Sequence, residues 1–403
     1  MLWLNSKTDR PDFEWFTKFL LKRCEEGIRV KRPLEAEEDA LRLSKEAADV
    51  LLAEYGIENP NSPKQILAFI ASCGDPFVID CCTEEIAGRK TGKLTSKEDA
   101  LAKLAAAGYK WALQILKYRD SYGIVKNIRS VMECADKNSL VHPEISFQKT
   151  NRVSYKAPAI TNINKQILWQ MVQPTKEGNY LWSADIKNQE PWIMVHLTGA
   201  KQLIDLAEKA SEGAGGSIYK AIYEDIFGTS IVSEEAYSEM KTAWNMLTYG
   251  GTLQGLRESC RIIDADRIYQ YFNGIKELKA YRSRTYALKT RGVQSVETVF
   301  GTTVYTDKTG GALQRSLMDL PMQGTGADIL AFLVKHITDE TEKLGISEYI
   351  KVYFTRHDEV ILEVDKDWQD ENGAECVAET IAELTSHRVD DWVPFKVDVK
   401  QLN

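Results

Sequence analysis

Apolar and polar positions alternate with two different periods along the chain, and the periods divide it. Residues 14–57 read as helical, with Phe19, Leu20 and Leu34 among many charges. SPKQILAFIAS at 62–72 predicts a short capped helix, because Ser62 suits the N-cap and Pro63 the first helical position. Arg89-Lys90-Thr91-Gly92-Lys93 then reads as a basic loop. Thr95 and Glu98 stand three apart before an apolar run, the spacing of a capping box. The helix that follows runs on through KYRDSYGIVKNI, with a break near Gly108.

From about residue 140 strand-like runs appear at 180–186 (YLWSADI), 293–305 (VQSVETVFGTTVY) and 349–364 (YIKVYFTRHDEVILEV). Helices are expected between them at about 191–209, 217–227, 233–249, 262–291 and 322–344. Strands separated by such long helical stretches predict a mixed α+β domain with a large helical insertion. Gly213–Gly216 reads as a flexible connector.

Composition narrows the class. The chain has 403 residues, enough for two to four folded units at roughly 100–200 residues each. Hydrophobic residues make up 43% and charged residues 27%, which fits a globular protein and excludes a disordered one. No segment approaches the ~18 uninterrupted apolar residues of a membrane span. The start, MLWLNSKTDRPDFEW, lacks the basic and long apolar regions of a secretory signal. A cytoplasmic protein with no membrane partner is the expectation. The net charge of -8 does not advertise nucleic-acid binding, although a local basic cleft can act within an acidic whole. The seven cysteines are odd in number and form no C-x-x-C pair, so buried or incidental thiols are expected rather than zinc or disulfides.

Two carboxylate positions carry the candidate chemistry. Asp185 ends an apolar strand, and Asp358-Glu359 occupy the turn of an expected hairpin. Acids at the tips of neighbouring strands can converge, and Mg²⁺ is held by few carboxylates together with water and phosphate oxygens. Taken alone, either position is an ordinary solvated turn. On the helix from Ser233 to Tyr249, residues Tyr237, Lys241, Asn245, Thr248 and Tyr249 fall on one side. Such a face suits a triphosphate and a base, and it equally suits a plain amphipathic helix with a lysine reaching to solvent. Arg152 among hydroxyls, Gln323 at a helix start, His357 beside Asp358, and the basic Arg89–Lys93 segment each admit a phosphate-binding or a merely structural reading.

In order, these segments resemble the A-family DNA polymerases, over nearly the whole chain. KTGKLTSKEDALAKL is similar to the family's thumb signature, and TNRVSYKAPAITNI to its T-G-R-L-S-S…P-N-L-Q-N-I segment. DIKNQEPWIMVHLTG resembles motif A (D-Y-S-Q-I-E-L-R), and KTAWNMLTYGG motif B (K-x7-Y-G). RSLMDLPMQGTGADI resembles R…N-x-P-x-Q-G-T-A-A-D, and RHDEVILEV motif C (V-H-D-E). The order of all six makes coincidence implausible.

The resemblance implies a right-hand α+β fold with an antiparallel palm sheet, helical fingers and a helical thumb. The thumb would span 1–150, the palm 151–210 and 292–403, and the fingers 211–291. Asp185 and Asp358 would bind two Mg²⁺ ions, with Mn²⁺ a possible substitute and Glu359 assisting. Lys241 would contact the incoming triphosphate, Tyr249 would guard the insertion site, and Glu190 would be the steric gate against a 2′-hydroxyl. Arg152, Asn162, Arg315, Gln323 and His357 would hold primer, template or minor groove, and Arg89, Lys90 and Lys93 would grip the DNA backbone. Against the family pattern, Tyr237 replaces an arginine, Asn245 an aromatic and Tyr219 a histidine, while Pro191-Trp192 follow the motif A glutamate. These departures cluster around the nucleotide, not the metals. The implied activity is templated primer extension by a polymerase core without exonuclease domains. The alternative is a primase-polymerase that starts chains on single-stranded DNA with a small accessory protein or helicase.

Overall fold

The computed structural model describes residues 1–402 apart from 87–88, 213–216, 232 and 393, and of 85, 86, 89 and 90 it describes the backbone alone. The expected connector at 213–216 thus lies outside the described residues. The chain forms two compact units. The larger comprises Met1–Glu26, Glu144–Tyr155 and Pro174–Asn403, and the smaller Gly27–Pro143 and Lys156–Gln173.

The smaller unit is mainly helical. Leu34–Tyr55 packs along Lys110–Cys134, and Pro63–Ser72 and Glu98–Ala106 close a core of Leu51, Ile66, Ile70, Leu101, Leu104 and Ile115. Ser62 caps its helix as expected, accepting from the Gln65 amide. The chain also breaks near Gly108, which takes φ +93°. Three expectations are corrected. The helical reading of 14–57 is interrupted after Glu26 by Gly27 at φ +86° and the strand Ile28–Val30, before Pro33 permits the next helix. The basic loop at Arg89–Lys93 is instead a strand, Arg89–Leu94, paired antiparallel with Thr83–Ile86. The capping box does not form: Lys97 is the N-cap, and the Thr95 hydroxyl accepts from the Lys97 amide in a local turn.

The larger unit is built on a four-stranded, wholly antiparallel sheet. Its order is Ile350–Arg356, Glu359–Val364, Tyr180–Ile186, Val397–Gln401. Strand periodicity explains its two faces. Trp182, Ala184, Ile186, Val360, Leu362, Val364, Val397 and Val399 share one face and join the main core with Leu330, Val334, Ile337 and Ile381 of the covering helices. The other face carries Ser183, Asp185, Glu359 and Asp398. The expected 293–305 strand is a short hairpin, Ser295–Glu297 with Thr303–Tyr305.

The helical stretch runs Gln189–Thr198, Lys201–Glu212, Ile218–Phe227, Glu234–Thr248, Leu253–Ser259, Ala265–Gly274 and Lys276–Thr290. The helix expected at 191–209 divides at Gly199, a left-handed C-cap, and that expected at 262–291 divides at Ile275. The helix expected from 322 begins at Gly310 and runs to Lys343 through Pro321. Within it, Thr325 Oγ1 donates back to the Pro321 carbonyl (2.6 Å). All seven cysteines are free; Cys24, Cys82 and Cys260 are buried, and Cys73, Cys134 and Cys376 exposed. Among the described residues no helix is long and apolar enough to cross a membrane.

Candidate active site

Asp185 is the penultimate residue of the central strand, and the sheet register sets it opposite Glu359 on one side and Asp398 on the other. Directly opposed residues of an antiparallel pair project to the same face, so these three acids share one end of the sheet. Glu359 is buried and accepts from the Ser183 hydroxyl. Asp398 is exposed and pairs with Lys187 (3.3 Å).

Asp358 completes the group from the adjacent turn. His357 takes φ +55°, the left-handed conformation that reverses the chain in two residues between Arg356 and Glu359. The Asp358 carbonyl accepts from the Ile186 amide (3.3 Å), which fixes the turn against the end of the central strand. Burial, then the neighbouring Asp185 charge, pushes the Asp358 carboxyl up to about 6. The two expected metal ligands therefore stand together.

Arg152 lies over this acidic end. Its guanidinium donates to Glu190 Oε1 at 2.8 Å, and its charge also favours the ionised forms of Asp358 and Asp319. Expected to act separately, as DNA contact and sugar gate, Arg152 and Glu190 form one ion pair. Tyr249 closes the Glu234–Thr248 helix. Its hydroxyl donates to Met322 Sδ (3.0 Å), and burial, then the Asp319 charge, raises its pKa above the ordinary phenol range.

Asp319 is the residue that sequence reasoning missed. Burial, then the Glu190 charge, pushes its carboxyl up to about 6, while Arg152, Gln323 and Tyr249 oppose that shift. A signal was present: the family segment N-x-P-x-Q-G has asparagine where this chain has Asp319.

The remaining candidates disperse. Lys241 and Asn245 are exposed on the Glu234–Thr248 helix, and Tyr237 is half-buried, accepting from Ser217 (3.3 Å). Tyr219 is a core residue, edge-on to Tyr237 and Trp244. Gln323 is half-buried, whereas Arg315 and His357 are exposed. Asn162 and Lys93 belong to the smaller unit and are exposed there. Arg89 and Lys90 share the strand of Lys93, but their side chains lie outside the described residues.

Among the described residues, no group of three or more His, Cys, Asp or Glu side chains forms a metal cage. A pair of carboxylates is nonetheless the usual protein contribution to a Mg²⁺ site completed by water and phosphate oxygens, and Asp185 with Asp358 fits that donor set.

The family description "DNA polymerase family A" matches residues 32–401. DNA polymerase I of Pseudomonas aeruginosa is 26% identical over 90% of this chain and 40% of its own length. DNA polymerase theta of Drosophila melanogaster is 24% identical over 77% of this chain and 16% of its own. Thermostable DNA polymerase I of Thermus filiformis is 24% identical over 99% and 48%. The chain thus spans less than half the length of each of these relatives. Among solved structures, the polymerase domain of Pol1 from M. smegmatis, in complex with DNA primer-template and dNTP, superposes with a TM-score of 0.78 at 21% identity. That match covers 98% of this chain and 70% of the other. The fold is therefore the α+β polymerase fold, and the chain belongs to DNA polymerase family A.

Proposed function

We propose that this chain is a DNA-directed DNA polymerase that adds nucleotides to a primer 3′ end. The observation that carries the proposal is the adjacency of Asp185 and Asp358 at one end of the antiparallel sheet. Two bound divalent ions, Mg²⁺ or Mn²⁺, would supply charge neutralisation and in-line positioning for phosphoryl transfer. Asp185 and Asp358 would hold them. Glu359, anchored by Ser183, adds negative charge behind them. Lys241 meets the triphosphate and offsets charge developing on the leaving pyrophosphate. Tyr249 and Glu190 border the nucleotide, and Arg152, released from Glu190, holds the primer terminus. Arg315, Gln323 and His357 contact the duplex. In this reading residues 151–210 and 292–403 act as palm, 211–291 as fingers and 1–150 as thumb.

The test is incorporation by wild type, Asp185→Ala and Asp358→Ala with Mg²⁺ on a primed template. Each aspartate variant should lose detectable incorporation while keeping its thermal midpoint. Near-normal incorporation by either would mean that the ligands are wrongly assigned. Lys241→Ala should slow incorporation about 10²–10³-fold, as expected for one lost electrostatic contact.

A second reading, chain initiation on unprimed single strands, is favoured by one observation. Asn245 is exposed where the family has an aromatic, and Trp244 and Trp192 are both 2% exposed within the core, so neither rebuilds that wall. A pocket that relies on shape rejects an added hydroxyl only about a hundredfold. The same assay with unprimed template and rNTPs tests it: Asn245→Phe should lower rNTP use relative to wild type. Equal exclusion by both proteins, with no product on unprimed template, would remove this reading.

A further inference from the structure

The helix Lys276–Thr290 carries two consecutive residues that bind different helices. Tyr281 is buried, and its hydroxyl donates to the Met318 carbonyl of the long helix Gly310–Lys343 (2.8 Å). Arg282 is half-buried, and its guanidinium donates to the Leu247 carbonyl and, at 3.3 Å, to Asn273 Oδ1. Leu247 lies in the last turn of the helix Glu234–Thr248, whose final carbonyls lack the donors of a further turn. A guanidinium there supplies a donor and meets the negative end of the helix dipole. The same carbonyl accepts from the Gly250 amide (3.3 Å), so Arg282 binds the turn by which the chain leaves the helix at Tyr249.

These contacts form a closed circuit. The Tyr249 hydroxyl donates to Met322 Sδ (3.0 Å), about one helical turn beyond Met318. A Cβ on Gly250 would lie 3.8 Å from Met318 Sδ, so the backbone after Tyr249 is also seated on the long helix. Tyr281 ties Lys276–Thr290 to that helix, and Arg282 ties the end of Glu234–Thr248 to Lys276–Thr290. We propose that Arg282 is a positioning residue for nucleotide binding: it holds the last turn of the helix that carries Lys241, Asn245 and Tyr249, and so sets the Tyr249 ring at the insertion site. This rests on the polymerase reading above. Because Arg282 acts through Tyr249, nucleotide binding should suffer more than the chemical step, which that reading gives to Asp185 and Asp358.

The experiment is steady-state dNTP incorporation on a primed template with Mg²⁺, together with primer-template affinity and amide hydrogen exchange. Arg282→Met keeps an unbranched stem and removes the donors. It should raise the nucleotide KM about tenfold, the order of one charge-assisted hydrogen bond. Its kcat should stay within about threefold of wild type, and its primer-template Kd within about twofold. Exchange over residues 245–252 should quicken. Arg282→Lys should fall between the two proteins, since one ammonium can meet the Leu247 carbonyl without also holding Asn273. In a Tyr249→Ala background, Arg282→Met should add little further loss.

An unchanged KM in Arg282→Met would overturn the proposal. So would additive effects with Tyr249→Ala, or kcat and primer-template affinity falling as far as nucleotide binding does, the mark of a merely structural role. Arg282→Lys no better than Arg282→Met would overturn it as well, because a cation at the helix end would then not be what holds it. If Arg282→Met does not fold, Arg282→Lys and Tyr281→Phe decide: both should raise KM, and wild-type values in both would sink the idea. A wild type that incorporates nothing on a primed template would overturn the polymerase reading and this proposal with it. An active wild type whose KM ignores Arg282 would overturn this proposal alone.

Discussion

Buried acids make the sharpest single-residue statement, and Asp328 is the clearest of them. It is fully buried in the long helix, where Oδ2 accepts from Thr298 Oγ1 at 2.5 Å. Burial pushes its carboxyl up to about 7, although Thr298 and Thr302 act the other way. An unfolded aspartate titrates near 3.9. The folded state therefore binds the proton more tightly, and the stability this group contributes is present below about pH 4 and lost as pH rises through about 7. Asp328→Asn keeps an acceptor for Thr298 and removes the titration. The thermal midpoint of wild type relative to Asp328→Asn should fall between pH 4 and pH 8. Asp319 and Asp358 are shifted in the same direction, but they are common to both proteins and cancel in the difference. Parallel midpoint curves across that range would show that Asp328 does not titrate there.

At the level of elements, close approach to the long helix depends on two glycines. A Cβ on Gly324 would come within 2.7 Å of the Thr298 and Val304 methyls, and one on Gly326 within 2.8 Å of Gln189 Oε1. Thr298 and Val304 are β-branched and stiff, whereas the Gln189 amide is the end of a longer side chain. Gly324→Ala should therefore cost about 1–3 kcal/mol and Gly326→Ala less. Gly326→Ala should instead act on incorporation, since Gln189 adjoins Glu190. Chemical denaturation of the two variants checks the order, and a larger loss for Gly326→Ala would reverse the argument. The same helix shows what was legible beforehand. Apolar runs located the central strand and the hairpin that carries Asp358, and Ser62-Pro63 marked a helix start, because local chemistry decides these features. Pro321 concealed the first three turns of the long helix, since a proline lacks the backbone donor of a helix interior and reads as a break. Thr95 and Glu98 had the spacing of a capping box, but the Thr95 hydroxyl was taken by the nearer Lys97 amide. Asp319 is not legible in the sequence because the charges that act on it, those of Glu190 and Arg152, are distant in sequence.

At the scale of the whole molecule, the order of six short segments identified the family, while no shift in composition marks the boundaries of the two units at Gly27, Glu144, Lys156 and Pro174. Charge is likewise a poor guide at this scale. The net charge of -8 disfavours nucleic acid at long range, so affinity must come from local cations that release counterions from the DNA backbone. The candidates differ in what they must give up. Lys93 is exposed and makes no ion pair among the described residues, so it is available to phosphate at once. Arg152 is held by Glu190 at 2.8 Å, and a phosphate can recruit it only by displacing that carboxylate. The two should therefore separate in a salt titration. Primer-template affinity measured by fluorescence anisotropy should fall steeply with KCl, with a log–log slope near -0.9 per phosphate contact on duplex DNA. Lys93→Ala should reduce that slope by about one contact. Arg152→Ala should weaken binding with a smaller change of slope, because loss of the cation also leaves Glu190 unpaired beside the DNA. An affinity independent of salt in the wild type would mean that the acidic surface dominates and that these cations do not grip the backbone.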